Sequence, residues 1–233
     1  MHTNRSALLT TTAARRAAAI CCLIPLAACA AATTGTAGSP RGSGVTVALS
    51  VHGAHAGAAA ATTTAIVGPV LWTASHRDTL ALWIDSTGAT SGWSPQLVGM
   101  VTEAADAWRA AGSPLRFVRV ADPASADVRV HWRRWDPGPS RGSTTWALNE
   151  RGELVGADVT IVLSPGVRFA VSRPCELRAI ALHELGHALG LPHDPSRDAV
   201  MYWQTGAAPT LTEHDRAALR TAYGSVMARS THS

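Results

Sequence analysis

His183-Glu184-Leu185-Gly186-His187-Ala188-Leu189-Gly190-Leu191-Pro192-His193 is the stretch from which the rest of the chain is read. Residues 174–189 have the texture of a helix: Pro174 suits its first position, and Leu177, Ile180, Ala181, Leu185 and Ala188 are candidates for a buried side. His183 and His187 stand four residues apart, so both project from one face, close enough to share a tetrahedral metal. Glu184 is rotated by about 100° from His183 around the helix, near the metal without having to bind it. Gly190 ends the helix in a left-handed conformation, and that turn lets His193 come back as a third ligand. Three protein ligands leave a zinc position open for water. Glu184 is placed to take a proton from that water and hand it on. The five-residue H-E-x-x-H pattern alone arises by chance in roughly a few per cent of chains this long. With Gly190 and His193 at their spacing, chance falls by roughly a further factor of several hundred.

At this point the chain resembles the metzincin clan of zinc peptidases, in which a methionine turn lies beneath the metal. Asp198-Ala199-Val200-Met201-Tyr202 supplies one, with Met201 eight residues after His193. That short interval resembles the matrixin family in particular. Thr212-Glu213-His214-Asp215 then opens a closing helix that runs through Leu219 to Tyr223-Gly224; Thr212 can cap it and Asp215 answers at the third helical position. The resemblance spans about residues 78–225, strongest after Cys175, and includes Trp83-Ile84-Asp85 and Trp93-Ser94-Pro95 upstream. It implies a metzincin-type catalytic domain: a twisted mixed sheet with about three helices, and a zinc cleft between an upper and a small lower subdomain. It also implies that Met201 is a hydrophobic base for the histidines and not a ligand. An edge strand at residues 143–148 would then run antiparallel to an extended peptide substrate. Departures from the matrixin pattern are Asp194 in place of a serine and Trp203 in place of a proline, which leaves the wall of the S1′ pocket open. Residues 136–142 lack the histidine set for a second, structural zinc, and His131 alone cannot make one. These residues carry no signature for or against structural calcium.

Upstream of the histidines the texture is that of a folded α+β domain. Leu80-Ala81-Leu82-Trp83-Ile84-Asp85 reads as a strand. Ser94-Pro95 starts a helix with apolar residues at Val98, Val101, Ala105 and Trp108, stopped by Gly112-Ser113-Pro114. Residues 115–120 and 127–132 alternate and give two more strands. Residues 143–148 and 156–163 give another two, joined by a turn at Asn149-Glu150-Arg151-Gly152. The domain is placed at residues 71–226, with a disordered tail at 227–233.

The N-terminus reads as an export address. Residues 1–16 are basic and free of acid, and Ala17 to Leu26 is an apolar run with the length of a signal-peptide core, too short to span a bilayer. Leu26-Ala27-Ala28-Cys29 resembles the bacterial lipobox, so residues 1–28 are read as a lipoprotein-type signal peptide and Cys29 as a lipidation site, with cleavage and free secretion as the alternative. Cys21 and Cys22 lie inside the apolar run, which leaves Cys175 a lone thiol, read as buried and inert, and no disulfide framework. Residues 29–70, rich in Ala, Gly and Thr, read as a low-complexity linker. The formal charge of +4 raises a nucleic-acid reading, but Arg5, Arg15 and Arg16 lie in the signal segment, and without them the charge is +1. No nucleic-acid surface is expected.

The leading reading is a zinc-dependent endopeptidase that hydrolyses extended protein or peptide substrates, extracytoplasmic and monomeric, touching membrane only through a lipid anchor. A reading from another class is a non-catalytic, zinc-stabilised binding lipoprotein, against which Glu184 weighs, since a binder has no evident need of a base there. A third keeps the chemistry and changes the substrate to the peptides of peptidoglycan. His76, His131 and His214 are read as surface residues.

Overall fold

A computed structural model of the chain describes residues 47–51, 68–76, 78–136, 140–165, 172–204 and 210–230. Residues 1–28, read as a signal peptide, Cys29 and most of the stretch read as linker lie outside the described residues.

Among the described residues the fold is carried by β1 (Val47–Val51), β2 (Thr79–Ile84), α1 (Pro95–Ala110), β3 (Arg116–Arg119), β4 (Val128–Asp136), β5 (Gly142–Leu148), β6 (Leu154–Pro165), α2 (Pro174–Ala188) and α3 (Glu213–Ser230), with a short 3₁₀ turn at Pro123–Ser125. The strands form one mixed sheet in the order β1-β5-β6-β4-β2-β3. β3, β2, β4 and β6 are mutually parallel, whereas β5 and β1 are antiparallel to their neighbours. This is the α+β architecture expected from the sequence.

Alternation along each strand explains which face meets the helices. β2 buries Leu80, Leu82 and Ile84, β4 buries Val128, Val130 and Trp132, and β5 buries Thr144, Trp146 and Leu148. α1 joins the same core with Leu97, Val101, Ala104, Ala105 and Trp108, a stripe at helical spacing, while Val98 is only half-buried, and Thr144 and Trp146 of β5 meet α2. α2 is buried on nearly every side from Leu177 onward, so it is the central helix of the core and not a surface helix. The predicted turn before β6 is held by Asn149, whose side-chain oxygen accepts from the amides of Arg151 at 2.9 Å and Glu153 at 3.0 Å. Gly152 supplies the positive φ of 73° that this turn needs.

Differences from the sequence reading concern where order begins and ends and what is covered: α3 runs to Ser230, through residues read as tail, and β5, read as an edge strand, has β1 outside it. Val47–Val51, inside the stretch read as linker, pairs as β1 along β5, with Val47 opposite Leu148 and Val51 opposite Thr144. Its Val-Ala-Leu-Ser-Val run has large apolar residues in alternation, β-branched at both ends, and a free sheet edge offers the partners that an isolated strand lacks. Cys175 is exposed, not buried, because the first turn of α2 projects beyond the core and burial starts only at Leu177.

Candidate metal centre

Two local devices deliver the three predicted histidines, one helix and the turn that ends it. His183 and His187 lie one turn apart on α2, both buried. The helix then ends in a Schellman turn: the Gly190 amide donates to His187 O at 2.7 Å and the Leu191 amide to Gly186 O at 3.1 Å, with Gly190 at φ 83°. This turn carries the chain back so that His193 faces the other two. The Nε2 atoms of His183 and His187 are 3.1 Å apart, and those of His187 and His193 are 3.2 Å apart.

The outer nitrogens decide what those inner nitrogens can do. His183 Nδ1 donates to Val200 O at 2.7 Å, and His187 Nδ1 donates to Leu191 O at 2.8 Å. A carbonyl only accepts, so in both rings the proton is on Nδ1 and the lone pair on Nε2. Burial also disfavours the charged ring: it pushes the His183 pKa down to about 4 and lowers that of His193. Neutral lone pairs so close together repel unless a cation lies between them. Nitrogen ligands of a tetrahedral zinc stand about 3.3 Å apart, for bonds of about 2.05 Å. The donor set therefore fits zinc in type, number and spacing, and these three residues are the group among the described residues that could hold a metal.

Glu184 is fully buried beside this cluster but is not part of it. Its Oε2 accepts from the Thr144 hydroxyl of β5 at 2.7 Å. Gly142 on the same strand packs so closely that a Cβ there would come 2.5 Å from Glu184 Oε1. Burial pushes the carboxyl up to about 8, against which the Thr144 hydrogen bond pulls.

The surroundings of α2 contain donors that sequence reasoning did not assign. Trp108 Nε1 donates to Leu182 O, Trp146 Nε1 to His187 O and Trp72 Nε1 to Ala188 O, each at 2.8 Å, and the Tyr223 hydroxyl donates to Leu189 O at 2.6 Å. The last carbonyls of a helix have no partner within it, so buried aromatic donors fix both the end and the orientation of α2. Asp215 is read from sequence as a helix-start residue, and it does accept from the Thr212 amide at 2.8 Å and hydroxyl at 2.9 Å. It also reaches the amides of Val200 and Met201, each at 3.1 Å. The peptide it holds is the one whose carbonyl orients His183. Met201 is fully buried below the histidines, with its sulfur against Gly186 of α2.

The matrixin family model matches residues 76–224. The chain belongs to the matrixin family. A hatching enzyme of Paracentrotus lividus is 32% identical over 122 residues, covering 48% of this chain and 20% of that protein. Metalloendoproteinase 1-MMP of Arabidopsis thaliana is 28% identical over 135 residues, covering 54% of this chain and 37% of its own length. The chain thus aligns with well under half of either relative. Membership implies a catalytic zinc, and the histidine cluster is a group that could hold it.

The matrixin turn after α2 is the least tolerant point of the centre. A Cβ on Gly190 would be strained by its positive φ and would overlap the carbonyl oxygen of Val70, whose amide donates to Gly190 O at 2.9 Å. Gly190→Ala is expected to cost about 2–4 kcal/mol, from the left-handed penalty plus overpacking against backbone. Denaturant unfolding checks this, and a loss below about 1 kcal/mol would contradict the turn as described.

The remaining singled-out residues are not brought to the cluster. His76 is half-buried rather than on the surface: its Nε2 lies 3.2 Å from Asp127 Oδ1 and its ring packs edge-on against Trp72. The Asp127 carboxylate also accepts from the Ala81 amide at 2.7 Å, which ties β2 to the start of β4. His131 is half-exposed beside Asp158, and His214 is exposed. Asp194 accepts from the Ser196 amide at 2.7 Å and so shapes the loop below His193. Trp203 is exposed next to Tyr202, their ring centroids 5.6 Å apart.

Proposed function

We propose that this matrixin is a zinc-dependent endopeptidase in which His183, His187 and His193 hold the metal and Glu184 is the catalytic base. The observation that carries the reading is the convergence of three histidine Nε2 atoms, two of them left with a free lone pair by their Nδ1 hydrogen bonds, next to a buried carboxyl that is not one of the donors. A zinc ion there would supply Lewis-acid polarisation of a carbonyl and a water of lowered pKa. Glu184 takes a proton from the attacking water and delivers it to the departing amine nitrogen. Thr144 fixes the carboxylate for that transfer through its 2.7 Å hydrogen bond. The β5 edge on which β1 lies antiparallel suits an extended chain, since backbone pairing along a strand recognises protein without demanding one sequence. The name of one relative, a metalloendoproteinase, agrees with proteolysis. The N-terminal reading completes the proposal: export through residues 1–28, with Cys29 as the lipid attachment point, so that activity is extracytoplasmic.

The test is hydrolysis of casein by the full chain, before and after a chelator and after zinc is returned. Loss and recovery of cleavage are expected. Cleavage that persists in thoroughly zinc-free protein would overturn the reading.

A pH dependence follows for the zinc-free chain. The native state keeps Glu184 protonated up to about 8, whereas an unfolded carboxyl ionises near its ordinary 4.5. The native state therefore binds the extra proton between those values, and stability falls as pH rises through them. His183 acts oppositely, because its native pKa of about 4 lies below the ordinary 6.5. Its contribution is lost as pH falls through that window and is largely complete above about pH 7. Between about pH 7 and pH 8 the zinc-free chain should lose stability, and Glu184→Gln should flatten that slope. Denaturant midpoints at the two pH values decide it; a rising midpoint in the unsubstituted protein would contradict the sign.

A further inference from the structure

β5 is the strand on which an extended substrate would pair, and in this structure its outer edge already has an occupant. β1 lies there, antiparallel, as the outermost strand of the sheet. Its polarity is set by the register: Val47 is opposite Leu148, Ser50 opposite Thr145 and Val51 opposite Thr144. Thr144 is the residue whose hydroxyl touches Glu184. β1 therefore runs toward the acid, and its Ser50–Val51 peptide is the one at the Glu184 end of the pairing. Neighbouring strands are about 4.8 Å apart, so that peptide is one strand spacing from the residue in contact with the base, whereas Val47 is about 13 Å further along.

We propose that the chain is its own first substrate and that the Ser50–Val51 bond is the one it hydrolyses. This rests on the endopeptidase reading above. The reaction consumes one water: its oxygen bonds to the Ser50 carbonyl carbon, the C–N bond breaks, and Glu184 carries the proton to the Val51 nitrogen. The products are a chain ending in the Ser50 carboxylate and a chain beginning with the Val51 amine. Before the cut, β1 is held on β5 by its covalent tether, at a high effective concentration. After it, residues 47–50 are a short strand with no tether and leave, which exposes the β5 edge to other chains. The same cut parts the peptidase domain from everything N-terminal to Val51.

The test uses the full chain loaded with zinc, unsubstituted and as Glu184→Gln. In the unsubstituted protein, intact mass and N-terminal sequencing should show a new terminus at Val51, formed at a rate unchanged by dilution. Glu184→Gln should stay whole and show slow amide exchange at the β5 positions that face β1. Adding Leu49→Pro and Ser50→Pro to it removes a ladder donor whichever of the two faces β5, and should speed that exchange about tenfold or more. The substitutions touch only an edge strand, so the sheet beneath stays folded. Casein hydrolysis with Ser50–Val51 left intact would overturn the proposal and leave the peptidase reading standing. Fast β5 exchange in Glu184→Gln, indifferent to the prolines, would overturn it too. If neither casein nor the chain itself is cut, the peptidase reading fails and takes the proposal with it.

Discussion

Glu184→Gln is expected to lower casein hydrolysis by about 10²–10⁴-fold while zinc content stays unchanged. The three donors that converge are histidines, and Glu184 is outside their cluster, so the metal loses no ligand. Glutamine keeps the shape of the side chain and an oxygen for the Thr144 hydroxyl, now 2.7 Å from Oε2. It cannot, however, accept a proton from water or return one to a leaving amine. Stability should hold or rise, because a buried carboxyl pushed up to about 8 is a poor place for a charge. Rate, zinc content and unfolding midpoint on the same preparations test all three parts. A variant with full activity would remove Glu184 from the chemistry. One that lost its zinc would make the residue a ligand instead.

The second large effect is expected far from the reacting atoms. Asp215→Ala should cost about 3–5 kcal/mol of stability and weaken zinc binding by about 10–100-fold. The carboxylate is fully buried and accepts four hydrogen bonds, from the amides of Val200, Met201 and Thr212 and from the Thr212 hydroxyl. Alanine leaves the buried donors without a partner. It also frees the Val200 peptide, whose carbonyl orients His183 through the 2.7 Å bond from Nδ1. Asparagine does little better, since one of its two ends is a donor and would face an amide. His214→Ala, at the exposed neighbouring position, serves as the control and should change stability by less than about 0.5 kcal/mol. Zinc titration against a competing chelator, together with denaturant unfolding, separates the two consequences. Unchanged zinc affinity in a destabilised Asp215→Ala would confine the residue to folding.

Most of the centre was legible because helical geometry is local. His183 and His187 share a face at a separation of four, and the glycine that reverses the chain for His193 is visible as Gly190. The sheet strands and α1 were legible from alternation and from Ser94-Pro95, with boundaries shifted by a residue or two or, in β4 and β6, extended. What escaped the reading is long-range. Nothing in the sequence says that Trp72, Trp108, Trp146 and Tyr223 all donate to carbonyls of one helix, because each pairing joins residues at least 34 positions apart. Asp215 looked like a local cap, and its reach to Val200 and Met201 depends on how α3 docks. β1 was hidden by its surroundings: Val47, Leu49 and Val51 alternate correctly, but the flanking alanines and glycines read as tether. A short strand of this kind is specified by the edge waiting for it, which only the folded sheet provides.

In the proposed reaction one zinc, held by His183, His187 and His193, drives peptide-bond hydrolysis. The most direct measurement is a zinc titration of the chelator-stripped full chain, with bound metal and casein hydrolysis followed on the same samples. The rate is predicted to rise in proportion to bound zinc and to level off at one equivalent. Full hydrolysis in the stripped protein, or one tightly bound zinc without hydrolysis of casein or of any peptide in a random-sequence library, would contradict it.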